Sequence, residues 1–208
     1  MTSILDGHSI IPVVAIEKVE HAIPLAETLL SGGISVLEVT LRTDAAIESI
    51  TKIINSVPEL IVGSGTVCNE KQFKLSQDIG CKFIVSPGLT TSLLDLARES
   101  QQDFLPGISS ASEIMLGLEY GFNRFKFFPA EALGGITTLK SLKGPFGNVK
   151  FCATGGIGAH NFLNYLSQDN VSAVGGSWMA SSELMAANDW LKIEELVKHA
   201  VSLQSVSV

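Results

Sequence analysis

The stretch ISVLEVTLRTDAAIESITKIINSVPELIVGSGTV, residues 34–67, contains one complete repeat of the fold. ISVLEVTL, from Ile34, is almost continuously apolar and rich in β-branched residues, the pattern of a strand covered on both faces. Behind it Ala45-Ala46, Ile50, Ile53-Ile54 and Val57 recur at helical spacing, with Thr43 as the expected N-cap. LIVGSGTV, from Leu60, then starts a second strand. Strand, amphipathic helix and strand in this order predict a parallel crossover unit.

The same unit recurs on both sides. IPVVAI from Ile11 precedes it, and KFIVSPG from Lys82, DFLPGIS from Asp103, RFKFFPA from Arg124, VKFCATGG from Val149 and SAVGGSW from Ser172 follow. These eight segments start roughly 20–25 residues apart. Helical patterns also run from Leu89 to Ala97, Ala111 to Leu118 and Trp190 to Leu203, while Pro24 blurs the start of the first helix. Gly32-Gly33, between a helix and a strand, is expected to be a C-cap turn. A closed eight-stranded barrel and an open doubly wound sheet both fit such an α/β pattern. The even spacing, with no GxGxxG after the first strand, favours the barrel. The expected architecture is a single (β/α)8 TIM barrel, one domain over 1–208, compact for a class that usually takes about 250 residues.

Composition narrows the function. Hydrophobic residues make up 46% and charged residues 17%, which suits a well-buried globular chain. A net charge of −7 argues against nucleic acid as a partner, since backbone binding needs a basic face. No run approaches 18 apolar residues, so no membrane span is expected. The start, MTSILDGHSII, lacks the features of a signal peptide. Cys68, Cys81 and Cys152 follow no disulfide or zinc spacing, so a reduced, cytoplasmic protein is the simplest expectation. His8, His21, His160 and His199 are scattered, and neither a metal site nor an organic cofactor is expected.

In a parallel barrel the C-terminal strand ends form the active site. The unusual residues collect there: Glu38 and Arg42 close the second strand, Thr66 the third and Pro87 the fourth, and Lys126 lies near the end of the sixth. Gly155-Gly156 and Gly175-Gly176-Ser177 follow the seventh and eighth. Lys126 lies in Phe125-Lys-Phe-Phe128, within a strand expected to be buried on both faces. It is either a lysine that snorkels to solvent or an amine nucleophile, with phenylalanines and a neighbouring arginine disfavouring its ammonium form. Period-two alternation places Val36, Glu38 and Thr40 on one face, and Arg124, Lys126 and Phe128 likewise. If both faces point inward, Glu38 and Lys126 meet, and the acid is either a proton shuttle or a structural partner. Arg42 is either solvated or a fork for a substrate carboxylate. Thr66 is either a hydroxyl donor or packing. Two Gly-Gly pairs after the last two strands suit a phosphate site built from backbone amides, with Ser177 adding a hydroxyl.

VLEVTLRT (36–43), VGSGTV (62–67), SPGLT (86–90), PGIS (106–109), FKFFPAE (125–131), TGGI (154–157) and GGSW (175–178) together resemble the class I 2-keto-3-deoxy-6-phosphogluconate (KDPG) aldolases, which often also act on 4-hydroxy-2-oxoglutarate. The resemblance runs over nearly the whole chain. It implies a trimeric, metal-independent barrel of the Entner–Doudoroff pathway that cleaves a phosphorylated 2-keto acid. It implies Lys126 as the Schiff-base lysine and Glu38 as the general acid/base. Arg42 and Thr66 would bind the pyruvate carboxylate, Pro87 and Phe128 shape the pocket, and Thr154, Gly155, Gly156, Gly176 and Ser177 receive the rest of the substrate and its phosphate. Ala153 stands where the family often has proline, which would loosen the loop before the phosphate site. Two other readings remain open on the residues: a phosphosugar isomerase, and a non-catalytic effector-binding barrel.

Overall fold

The computed structural model describes residues 3–206. Nine strands alternate with helices: β1 (Ile10–Val14), β2 (Val36–Thr40), β3 (Ile61–Gly65), β4 (Phe83–Val85), β5 (Asp103–Leu105), β6 (Gly107–Ile108), β7 (Arg124–Phe127), β8 (Lys150–Thr154) and β9 (Val171–Gly176). The helices are α1 (Ala22–Ser31), α2 (Ala46–Ser56), α3 (Glu70–Asp78), α4 (Thr91–Ser100), α5 (Ala111–Glu119), α6 (Gly135–Lys143), α7 (Phe162–Leu166), α8 (Ser182–Ala186) and α9 (Trp190–Val206).

Every strand pair is parallel, in the order β5-β4-β3-β2-β1-β9-β8-β7-β6. The two ends of that list are one stave. β5 and β6 are the expected fifth segment, interrupted by Pro106, which has no N–H to give to a ladder. Below the proline, β5 pairs with β4; above it, β6 pairs with β7, and the Lys126 N–H donates to the Pro106 carbonyl at 2.9 Å. The switch of partner at Pro106 closes the ring. The eight expected staves are therefore present and the fold is a (β/α)8 barrel. The open sheet is excluded.

Local chemistry explains several helix boundaries. Asn69, Thr90, Ser110 and Ser181 cap α3, α4, α5 and α8 with their side chains, Ser110 as half of a capping box with Glu113. Pro24 falls in the first turn of α1, where an N–H has no intrahelical acceptor. Gly32-Gly33 ends that helix as expected, with Gly33 at φ +95 and the Ile34 N–H returning to the Leu29 carbonyl. A Cβ on Gly32 would lie 2.3 Å from Val197 Cγ1, so this glycine also lets α9 pack against the end of α1.

One expectation is corrected. Thr43 does not cap α2, which begins at Ala46 without a side-chain cap; its hydroxyl donates instead to the Ile16 carbonyl at 2.6 Å and ties the loop after β2 to the end of β1. Ala153 lies inside a strand, as the segment VKFCATGG implies: it is buried within β8 and paired with Phe127 and Val174. No helix among the described residues is long and apolar enough to cross a membrane.

Candidate active site

Lys126 and Glu38 meet inside the barrel. Lys126 Nζ lies 3.2 Å from Glu38 Oε1, with the residues 5% and 3% exposed. β7 and β2 are separated in the ring by β8, β9 and β1, so this contact can only cross the interior. Glu38 reaches inward because its neighbour stave leaves room: a Cβ on Gly65 would sit 2.1 Å from Glu38 Oε1. Gly65→Ala should therefore push the carboxylate off Lys126 and lower kcat by about 100-fold, the scale of a lost proton shuttle. Steady-state turnover together with a far-ultraviolet spectrum checks this, and near-normal kcat in a folded variant would contradict it.

The surroundings of the pair are apolar or neutral. The Phe128 ring centroid lies 5.3 Å from Lys126 Nζ, within range of a cation–π contact. Cys152 is the register partner of Lys126 on β8. Burial, offset in part by the nearby lysine, pushes its thiol up to about 12, so it stays uncharged beside the amine. Arg124, on the same strand, does not serve the site. It pairs with Asp6 at the N-terminal mouth and, through that hydrogen bond, holds the Asp6 carboxyl below its usual range. The arginine expected near Lys126 is thus committed elsewhere, and the Phe128 ring is the aromatic wall.

The remaining candidates line the C-terminal rim. Arg42 is exposed; its Nε donates to Thr40 Oγ1 at 3.1 Å, and the buried Thr40 hydroxyl donates to the Val14 carbonyl at 3.0 Å. Among the described residues Arg42 enters no ion pair, so its two terminal nitrogens are available to a carboxylate. Thr66 follows Gly65 at φ +60, a left-handed conformation that costs a β-branched residue about 1–3 kcal/mol. Pro87 packs over β6: a Cβ on Gly107 would lie 2.4 Å from its backbone.

Gly155 and Gly156 follow β8 at φ +100 and +78, and a Cβ on Gly155 would reach 3.2 Å from the Phe128 ring. That turn therefore abuts the wall of the lysine pocket. Thr154 is buried against Gly175, where a Cβ would come within 2.5 Å of its hydroxyl. A Cβ on Gly176 would lie 3.1 Å from the Ile157 carbonyl, which brings the loops after β8 and β9 side by side. Ser177 is exposed on the rim beyond Gly176 and makes no side-chain hydrogen bond among the described residues. All the expected residues lie at one mouth, but only Lys126, Glu38 and Phe128 touch in the core of the site. Thr40 and Gly65, which position Arg42 and Glu38, are not singled out by the sequence. A glycine inside a strand is the one signal that marks a close approach. Among the described residues no three His, Cys, Asp or Glu side chains cluster as a metal site.

A buried amine held against a carboxylate at the C-terminal mouth of a parallel barrel, with a free guanidinium on the rim, is the arrangement of an imine-forming barrel lyase. The family model for KDPG and KHG aldolase matches residues 1–196. The 2-dehydro-3-deoxy-phosphogluconate aldolase of Pseudoalteromonas atlantica is 49% identical over 193 residues, 93% of this chain and 90% of that one. The KHG/KDPG aldolase of Escherichia coli (strain K12) is 47% identical over 199 residues, 96% and 93% of the two chains. Among solved structures, the KDPG aldolase of Legionella pneumophila, with pyruvate captured at low pH as a covalent carbinolamine intermediate, superposes with a TM-score of 0.90 at 47% identity, covering 91% of this chain and 92% of that one. The chain belongs to the KDPG and KHG aldolase family.

Proposed function

We propose that this chain, as one domain over 1–208, cleaves KDPG to pyruvate and glyceraldehyde 3-phosphate through a Schiff base on Lys126, and 4-hydroxy-2-oxoglutarate to pyruvate and glyoxylate. The observation that carries this reading is the 3.2 Å approach of Lys126 Nζ to Glu38 Oε1 within the closed barrel. Transfer of one proton across that contact leaves a neutral amine and a neutral acid, the state in which the amine attacks a carbonyl.

Lys126 attacks C2 of the keto acid, and Glu38 passes the proton that lets the carbinolamine expel water. The iminium so formed is the electron sink, the task that a metal performs in other lyases. Glu38 takes the proton of the C4 hydroxyl, and the C3–C4 bond breaks into the iminium to give an enamine. The aldehyde leaves, C3 is protonated, and water releases pyruvate and the free amine. Arg42, held by Thr40, grips the pyruvyl carboxylate together with Thr66, while Pro87 and Phe128 wall the pocket. Thr154, Gly155, Gly156, Gly176 and Ser177 receive the distal part of the substrate and its phosphate. The family relationship supports a homotrimer acting in the cytoplasm on a small phosphorylated keto acid of the Entner–Doudoroff pathway.

The phosphate end is tested by Ser177→Ala. KM for KDPG should rise about tenfold, one lost hydrogen bond to a charged group, while the constants for 4-hydroxy-2-oxoglutarate hold. Coupling pyruvate release to lactate dehydrogenase measures both substrates. Equal losses on the two would remove Ser177 from a phosphate site.

A further inference from the structure

The Gly155–Gly156 turn is pinned from behind by groups that the cleavage reaction does not use. The Glu131 N–H donates to the Gly155 carbonyl at 3.1 Å, and Asn161 Nδ2 donates to the Gly156 carbonyl at 3.0 Å. A peptide is planar and trans, so a carbonyl tied to one side sends the N–H of the same peptide to the other. The N–H groups of Gly156 and Ile157 are thereby turned away from Glu131 and Asn161.

The side chain of Glu131 then lies across Gly156: a Cβ on that glycine would come within 2.5 Å of Glu131 Cγ. Beyond this contact the Glu131 carboxylate accepts a hydrogen bond from the Tyr165 hydroxyl. Tyr165, in α7, is 1% exposed and packed in the main core. Its burial, and then the carboxylate that accepts its hydrogen bond, hold the phenol above its ordinary range, which keeps it a donor. Space for the pair comes from Gly135 at φ +55, where a Cβ would meet the Tyr165 hydroxyl at 2.7 Å and Glu131 Oε1 at 3.1 Å. Glu131 is thus strapped at both ends, by its N–H to the turn and by its carboxylate to a core tyrosine.

We infer that Glu131 and Tyr165 form a positioning brace that fixes the Gly155–Gly156 turn for the phosphate of the substrate and so sets selectivity for phosphorylated over unphosphorylated 2-keto acids. This inference rests on the phosphate reading of that turn. Neither residue touches the reacting atoms; both act through the backbone they hold.

The test is a steady-state comparison of KDPG with 4-hydroxy-2-oxoglutarate for Tyr165→Phe, Glu131→Ala and Glu131→Gln, with Ser177→Ala alongside. Tyr165→Phe and Glu131→Ala should raise KM for KDPG about tenfold, with kcat and both constants for the unphosphorylated substrate within about twofold of wild type. Glu131→Gln still accepts from Tyr165 and keeps its methylenes on Gly156, so it should stay near wild type. Losses shared by both substrates, no loss on either, or a Glu131→Gln variant as impaired as Glu131→Ala would each overturn the brace. Tyr165→Phe retains the buried ring, which keeps the test open if Glu131→Ala folds poorly. If Ser177→Ala raises KM for KDPG and Tyr165→Phe does not, the brace alone falls. If neither does, the phosphate reading of the turn falls with it.

Discussion

Lys126→Ala should lower turnover of KDPG by on the order of 10⁴-fold or more, because the covalent route is lost with the nucleophile. The same variant should form no borohydride-stable adduct with pyruvate. Lys126 is the amine that faces Glu38 across the barrel, and the cysteine beside it is kept protonated by burial. Lys126 is the one buried lysine among the described residues. The substitution also strands Glu38 in the interior, and breaking a buried pair costs about 3–5 kcal/mol of stability. Turnover should therefore be read beside a melting curve. A folded Lys126→Ala protein with ordinary turnover would remove Lys126 from the chemistry.

Glu38→Gln should have the second largest effect. The amide keeps the size of the side chain and can still accept a hydrogen bond from Lys126, but it cannot take a proton from the ammonium or from the C4 hydroxyl. kcat should fall about 10²–10⁴-fold, with KM much less affected, since the shuttle acts in the transition states rather than in binding. Adduct formation with pyruvate should slow without being abolished, because imine formation retains a solvent route. Single-turnover trapping separates the two steps. A kcat within a few-fold of wild type would reduce Glu38 to a structural counter-ion.

Much of this architecture is legible in the chain because period-two counting along an apolar strand is rigid. Glu38 and Lys126 are the charged residues buried inside such strands among the described residues, and the count turns each to one face. The barrel was readable from the even recurrence of strand and helix, while Pro106 marks in DFLPGIS the break at which the fifth stave changes partner. Legibility fails where the deciding contact is remote. Thr43 has the chemistry of a helix cap, but the end of β1 offers its hydroxyl a carbonyl that no local pattern announces. Arg124 shares the face of Lys126 by alternation, and the N-terminal segment claims it from the other mouth. Gly65, Thr40, Glu131 and Tyr165 matter through what they hold in place, and that depends on which staves and loops become neighbours.

The most direct measurement is borohydride reduction of the intact protein in the presence of pyruvate, followed by peptide mass analysis, with KDPG cleavage assayed on the same preparation. The expected result is a reduced pyruvyl group on the peptide that carries Lys126, together with turnover that the trapping abolishes. An adduct without any cleavage would indicate an effector-binding barrel. Cleavage that survives with Lys126 unmodified, or an adduct confined to another lysine, would contradict an imine formed inside the barrel.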